Sequence, residues 1–247
     1  MSKNKLWVFG TSHCLAHNII GDSWADIVSQ QLNFELVNLA QPATDNFFIY
    51  HCYLENLSNI NKDDIVIVGW SHYSRKSFVL DKTNIKQQQV LADSIIYKTK
   101  HLELIRGISP PGSINKFLKL QPKNLGREYY DVWFDNYYSE HEQKCNQQSY
   151  MDSVELTCPA KYVPFFFSKE STDNLRLPNH AGYIVDFIAE NNVMISSNDG
   201  HLNHHGHELW AKHIFKYIDI NLNNRYNSNK TGHPRPHNSE KVCKKKI

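Results

Sequence analysis

The sequence predicts an α/β protein with an open, doubly wound, mostly parallel sheet, and three observations carry that expectation. Strand-sized apolar runs alternate with helical stretches through the amino-terminal third of the chain. The run Ile65-Val66-Ile67-Val68-Gly69-Trp70 has almost no polar alternation, which marks a central parallel strand covered on both faces. Units of this kind cross over right-handedly, so the ends of strands one, two and three lie side by side.

The first strand, about residues 6–10, centres on Leu6-Trp7-Val8-Phe9 and breaks at Gly10-Thr11-Ser12-His13. A strand that ends in glycine and a small hydroxyl residue sets a serine at the carboxyl edge of the sheet, where α/β proteins bind ligands. Ser12 is therefore the candidate nucleophile, although Thr11 and Ser12 also suit capping of the next helix. That helix, capped by Asp22 or Ser23, carries Trp24, Ile27, Val28 and Leu32 at spacings of three and four. Residues 35–40 form the second strand, and Gln41 to Asn46 its turn, with Asp45 or Asn46 starting a helix to about residue 60.

Beyond Ser71 the pattern weakens. Helical pieces near 86–105 and a turn at Pro110-Pro111-Gly112 suggest an insertion, about 76–130, that covers the active edge. The stretch 126–157 reads as helical in its second half, with Cys145, Met151 and Val154 inward. Lys161 to Phe167 is the fourth strand, and Pro164 within it signals an edge or an irregularity. A polar loop with Asn174, Asn179 and His180 precedes a helix and short strand over 184–195. The loop Ser197 to His207, dense in Asp and His, then leads into a closing helix that His201 opens and that carries Trp210, Ile214 and Ile218.

Composition narrows the function. Apolar content of 40% and charged content of 21% are ordinary for a globular protein, and the apolar runs are too short to cross a membrane. No signal peptide is visible, and five widely spaced cysteines without CxxC pairing read as free thiols of a reducing compartment. The expected location is the cytoplasm, or a virion and its host's cytoplasm. Residues 221–247 hold seven Lys or Arg against Glu240 alone, so the net charge of +2 conceals an acidic body. Nucleic-acid contact is thus expected only, if at all, through a basic, disordered tail over 222–247, with residues 1–221 forming one domain.

His201, His204, His205 and His207 invite a metal reading, but Asp199 is the only carboxylate near them and HExxH is absent, so neither metal nor cofactor is expected. The alternative for His201 is a general base toward Ser12, with Asp199 fixing its tautomer.

These residues resemble the SGNH or GDSL-type serine hydrolases in four ordered blocks. Gly10-Thr11-Ser12 occupies the place of GDS, and Asn38-Leu39-Ala40-Gln41-Pro42-Ala43-Thr44-Asp45-Asn46 that of NLAxPGxSN. Gly69-Trp70-Ser71-His72-Tyr73-Ser74-Arg75 is similar to a GW[ST]xxxR variant associated with phage and bacterial members, and Asp199 to His207 resembles DxxHPNxxGH. The resemblance, over about residues 6–220, implies a flavodoxin-like three-layer α/β/α fold with Ser12 as nucleophile and His201 as base. The oxyanion donors would be the backbone N–H groups of Ser12 and Ala43 and the side chain of Ser71. Threonine replaces the family's aspartate at Thr11, alanine its glycine at Ala43, and serine its asparagine at Ser71. The family's carboxylate falls at Asn198, so Asp199 substitutes or the site runs as a dyad.

His72, Arg75 and Asn46 are the candidate substrate contacts. The polar mouth that His72 and Arg75 form with Ser71, Asn179 and His180 favours a polar substrate over a long lipid chain. The expected function is hydrolysis of a small acyl ester, such as O-acetyl on a carbohydrate, through a Ser12 acyl-enzyme. The partner would be a small-molecule or glycan ester, with no membrane involved and the oligomeric state open. Two alternatives stay open: a binding or structural module that kept the fold but lost its site, glycan- or particle-associated for example, and a sugar O-acyltransferase.

Overall fold

A computed structural model describes residues 3–16, 21–79, 96–98, 103–108, 135–197 and 199–228. Four parallel strands form the central sheet: β1 (Lys5–Phe9), β2 (Glu35–Asn38), β3 (Ile65–Trp70) and a late strand, Lys161–Phe166, in the order β2, β1, β3, late strand. Leu6 pairs with Ile65, Trp7 with both Val37 and Val66, and Val66 with Tyr162. Because successive strand residues face opposite ways, the register sends Leu6, Val8, Ile65, Ile67, Val163 and Phe165 into one core and Trp7, Phe9, Val66, Val68, Trp70 and Phe166 into another. The first core is closed by helices α1 (Trp24–Leu32), α4 (Ile184–Asn191) and α5 (His204–Ser228); the second by α2 (Asn46–Asn56) and α3 (Glu140–Thr157). The result is a three-layer α/β/α fold.

This strand order places a topological switch between β1 and β3, and the crevice outside the carboxyl ends of those strands is where doubly wound proteins bind ligands. Two glycines keep that edge tight. A Cβ on Gly10 would lie 2.5 Å from Cys14 Sγ, and one on Gly69 2.4 Å from Phe165 Cζ. Ser12 and Ser71 come two residues after these glycines, just past the ends of the adjacent strands β1 and β3.

Local chemistry accounts for the helix starts. Ser23 and Asp26 form a reciprocal capping box on α1, and the Asp45 carboxylate accepts the Phe48 N–H at the head of α2. Asn203 Oδ1 accepts the Gly206 N–H at the head of α5. Pro164 sits on the sheet's edge strand, and the Ala181 N–H donates to its carbonyl. A strand residue aims its C=O and its N–H to the same side, so the missing N–H points away from β3 and breaks no ladder bond.

Several elements differ from expectation. Residues 96–98 and 103–108, where helical pieces were expected near 86–105, are strands β5 (Ile96–Lys98) and β6 (Glu103–Ile108), joined with β4 (Lys76–Val79) in an antiparallel sheet of order β4, β6, β5. The turn at 110–112 and most of the expected insertion lie outside the described residues. The central sheet's fourth strand is then β7 (Lys161–Phe166). Cys145 is exposed rather than inward: the buried row of α3 is Gln143, Gln147, Met151 and Val154, and a residue two places from Gln143 points to the opposite side of a helix. The Asp- and His-rich loop is partly a hairpin of β8 (Met194–Ser196) and β9 (Asp199–Leu202). The closing helix runs to Ser228, past Asn221, while residues 229–247 lie outside the described set. Among the described residues, no helix is long and apolar enough to cross a membrane.

Candidate functional site

Beyond Gly10 the chain tightens into a single 3₁₀ turn, Ser12–Cys14, whose carbonyls are held from outside. The Trp24 indole donates to His13 O at 2.8 Å, Asn38 Nδ2 to Cys14 O at 2.9 Å, and the Thr44 hydroxyl to Gly10 O at 3.2 Å. The turn is thereby fixed to α1, to β2 and to the loop before α2. Thr11 makes no side-chain capping bond, and α1 is capped by Ser23, so capping does not occupy this segment. Ser12 is 6% exposed.

The Ser12 hydroxyl lies 2.7 Å from His201 Nε2, and His201 Nδ1 lies 2.5 Å from Asp199 Oδ1. The same carboxylate oxygen accepts the His201 backbone N–H at 3.1 Å. This network assigns the proton on Nδ1 to the carboxylate bond, which leaves Nε2 to accept from the serine. His201 was expected to open the last helix; it lies instead on β9, and α5 begins at His204. That correction explains the spacing. On a strand, residues two apart share a face, whereas on a helix they would diverge, so Asp199 reaches the imidazole two residues later. Asn198, where the family's carboxylate would fall, lies outside the described residues.

At the end of β3, Asn46 grips the Ser71 backbone from both sides: its Oδ1 accepts the Ser71 N–H at 2.7 Å, and its Nδ2 donates to Ser71 O at 3.1 Å. The Ser71 hydroxyl is fully buried and has no hydrogen-bond partner. Ala43 stands at φ 56°, in the left-handed region, which costs a residue with a Cβ about 1–2 kcal/mol. The backbone at Ala43 therefore keeps the shape a glycine would take.

No sequence pattern singles out two of the rings around this centre, His13 and Phe167; the third, His72, is a candidate from the sequence. His13 stacks on His201 with centroids 4.8 Å apart and meets Phe167 edge-on at 5.5 Å. Phe167 also meets His72 edge-on, and the Arg75 guanidinium lies over its face at 5.4 Å. A continuous wall thus links the imidazole of His201 to His72 and Arg75. His72 Nδ1 sits 2.6 Å from the Ser74 hydroxyl and accepts the Ser74 N–H. Burial, helped by the Arg75 charge, pushes the His72 imidazole down to about 4, so it is neutral near pH 7.

The remaining histidines have other work. His207 is buried and takes the Trp24 N–H on Nδ1, joining the heads of α1 and α5; burial, then the neighbouring His204, pushes it down to about 4. Contrary to the expectation from sequence, Asp199 is not the only carboxylate beside this cluster: His204 and His205 flank Glu208 at 3.6 and 3.4 Å in the open. His180 packs against Phe166 and Tyr183 and accepts the Gly182 N–H. Among the described residues, no group of three or more His, Cys, Asp or Glu is placed to hold a metal ion.

No family model and no curated protein matches the chain. Solved structures do. Protein YXIM from Bacillus subtilis is 10% identical, with a TM-score of 0.45 over 89% of this chain, which spans 57% of that protein. A protein assigned to the G-D-S-L lipolytic family from Desulfitobacterium hafniense is 11% identical, with a TM-score of 0.42 over 87% of this chain and 99% of its own. A protein described as an SGNH hydrolase from Slackia heliotrinireducens is 8% identical, with a TM-score of 0.41 over 88% of this chain and all of its own.

Proposed function

We propose that the protein is a serine hydrolase of the SGNH type that cleaves a small acyl ester, such as an O-acetyl group on a polar alcohol. The observation that carries this is the unbroken line from Asp199 through His201 to the Ser12 hydroxyl, with bonds of 2.5 and 2.7 Å. Ser12 Oγ attacks the ester carbonyl carbon while its proton passes to His201 Nε2. The tetrahedral intermediate collapses, and the alcohol leaves with that proton. Water then attacks the Ser12 acyl ester, gives a proton to His201, and the carboxylic acid departs as Ser12 is regenerated. Asp199 holds the imidazole in the tautomer both steps need.

The oxyanion is assigned to the backbone N–H groups of Ser12 and Ala43 and to the Ser71 hydroxyl, which has no competing partner. Asn46 positions Ser71, and His72 and Arg75 face the substrate along the Phe167 wall. Transfer of the acyl group to a sugar would share the same first half-reaction.

The test is turnover of p-nitrophenyl acetate by the wild type and by Ser12→Ala. Hydrolysis that disappears with the hydroxyl supports the assignment; equal rates from the two proteins refute it.

A further inference from the structure

The His201 imidazole is held by two supports that belong to different parts of the fold. Asp199 bonds Nδ1 from two residues away on the same strand, β9, and β9 pairs with β8 in a hairpin separate from the central sheet. That bond fixes the ring against its own strand and travels with it. A two-stranded hairpin has little stability of its own, so aiming Nε2 at Ser12 needs a contact with the segment that carries the nucleophile.

His13 makes that contact. It follows Ser12 in the same 3₁₀ turn, it is buried, and its ring stacks on His201 with the two planes 30° apart. The turn is fixed in place, because the Trp24 indole donates to His13 O and Asn38 Nδ2 to Cys14 O. Phe167 meets the His13 ring edge-on and carries the Arg75 guanidinium over its own face. A hydrogen bond at one ring atom lets the plane rock, and a flat ring lying on it opposes that motion. The Ser12 bond cannot do so through the whole cycle: once Ser12 is acylated its oxygen has no proton to donate, and Nε2 must then be aimed at water.

We propose that His13 is the positioning residue of the general base, its ring registering the plane of His201 to the turn that carries the nucleophile, above all in the acyl-enzyme. The role needs a flat face and no titrating nitrogen. Its kinetic consequence rests on the hydrolase function above; the positioning itself does not need turnover.

The test replaces His13 by leucine, which fills the site without a flat face, and by phenylalanine, which keeps the face without a ring nitrogen, with p-nitrophenyl acetate as substrate. His13→Leu should lower kcat about tenfold with KM within about twofold, and His13→Phe should keep kcat within about threefold of wild type. Equal kcat in wild type and His13→Leu overturns the proposal and leaves the hydrolase intact. An equal loss in both variants overturns it too, since the flat face then makes no difference. Should His13→Leu not fold, Phe167→Leu, which removes the half-buried ring braced against His13, decides in its place: a kcat loss of about threefold supports the proposal and no loss overturns it. If wild type does not cleave the ester, the hydrolase reading fails and proton NMR decides the positioning. A low-field His201 Nδ1–H resonance present in wild type and His13→Phe but lost in His13→Leu supports it; the same spectrum from all three proteins overturns it.

Discussion

Two sets of polar groups, buried or half-buried, flank the crevice at the ends of β1 and β3, and they are satisfied in opposite ways. Ser12, His201 and Asp199 close a chain of hydrogen bonds among themselves, while the Ser71 hydroxyl and the Gln147 amide are buried with no partner. A buried group without a partner costs about 1–3 kcal/mol. The closed chain is ready before substrate arrives; the orphaned groups are free to bond to something that arrives.

The largest expected effect is on the closed side. Asp199→Asn leaves the imidazole in the wrong tautomer and should lower kcat on p-nitrophenyl acetate by about 10³- to 10⁴-fold with KM little changed. A loss below tenfold would mean that the site runs as a Ser12–His201 dyad. On the orphaned side, Ser71→Ala should lower kcat about 10²-fold, as expected for one oxyanion donor, without lowering the melting temperature, because no native bond is removed. Loss of stability with unchanged kcat would show that the hydroxyl is structural and would collapse the contrast.

The acid response sharpens it further. His207 and His72 both titrate near 4 in the fold against 6.5 for a free histidine. The unfolded chain therefore binds more protons between those values, and the stability these neutral rings contribute is complete above pH 6.5 and lost as pH falls toward 4. Denaturant unfolding should show stability falling by up to about 1.4 kcal/mol per pH unit for each ring in that window. His207→Asn, which keeps an acceptor for the Trp24 N–H without titrating, should flatten the slope. The smallest effect is expected from Ala43→Gly, which relieves the left-handed conformation and should change stability by no more than about 1 kcal/mol.

The parallel core was legible because its signal is hydrophobic and local. The runs at 6–9 and 65–70 have the length and β-branching of buried strands, and Pro164 announced an edge. Asp199 to Leu202 was not, because a strand written Asp-Gly-His-Leu has no apolar alternation; it exists by pairing with Met194–Ser196, a contact that periodicity cannot report. The same blindness misplaced Cys145: the inward row of α3 includes two glutamines, and an apolar pattern passes over them. Ser12, Asp199 and His201, singled out from ordered blocks, are brought within hydrogen-bonding distance. Phe167 and Gln147 left no trace in the sequence, since what distinguishes them is where the fold puts them.

The most direct measurement is the site of covalent labelling. A fluorophosphonate probe should modify the wild type at a single residue, with the adduct mass on the peptide holding Ser12, and should leave Ser12→Ala unmodified. Equal labelling of the two proteins, or an adduct on any other serine, would contradict Ser12 as the nucleophile.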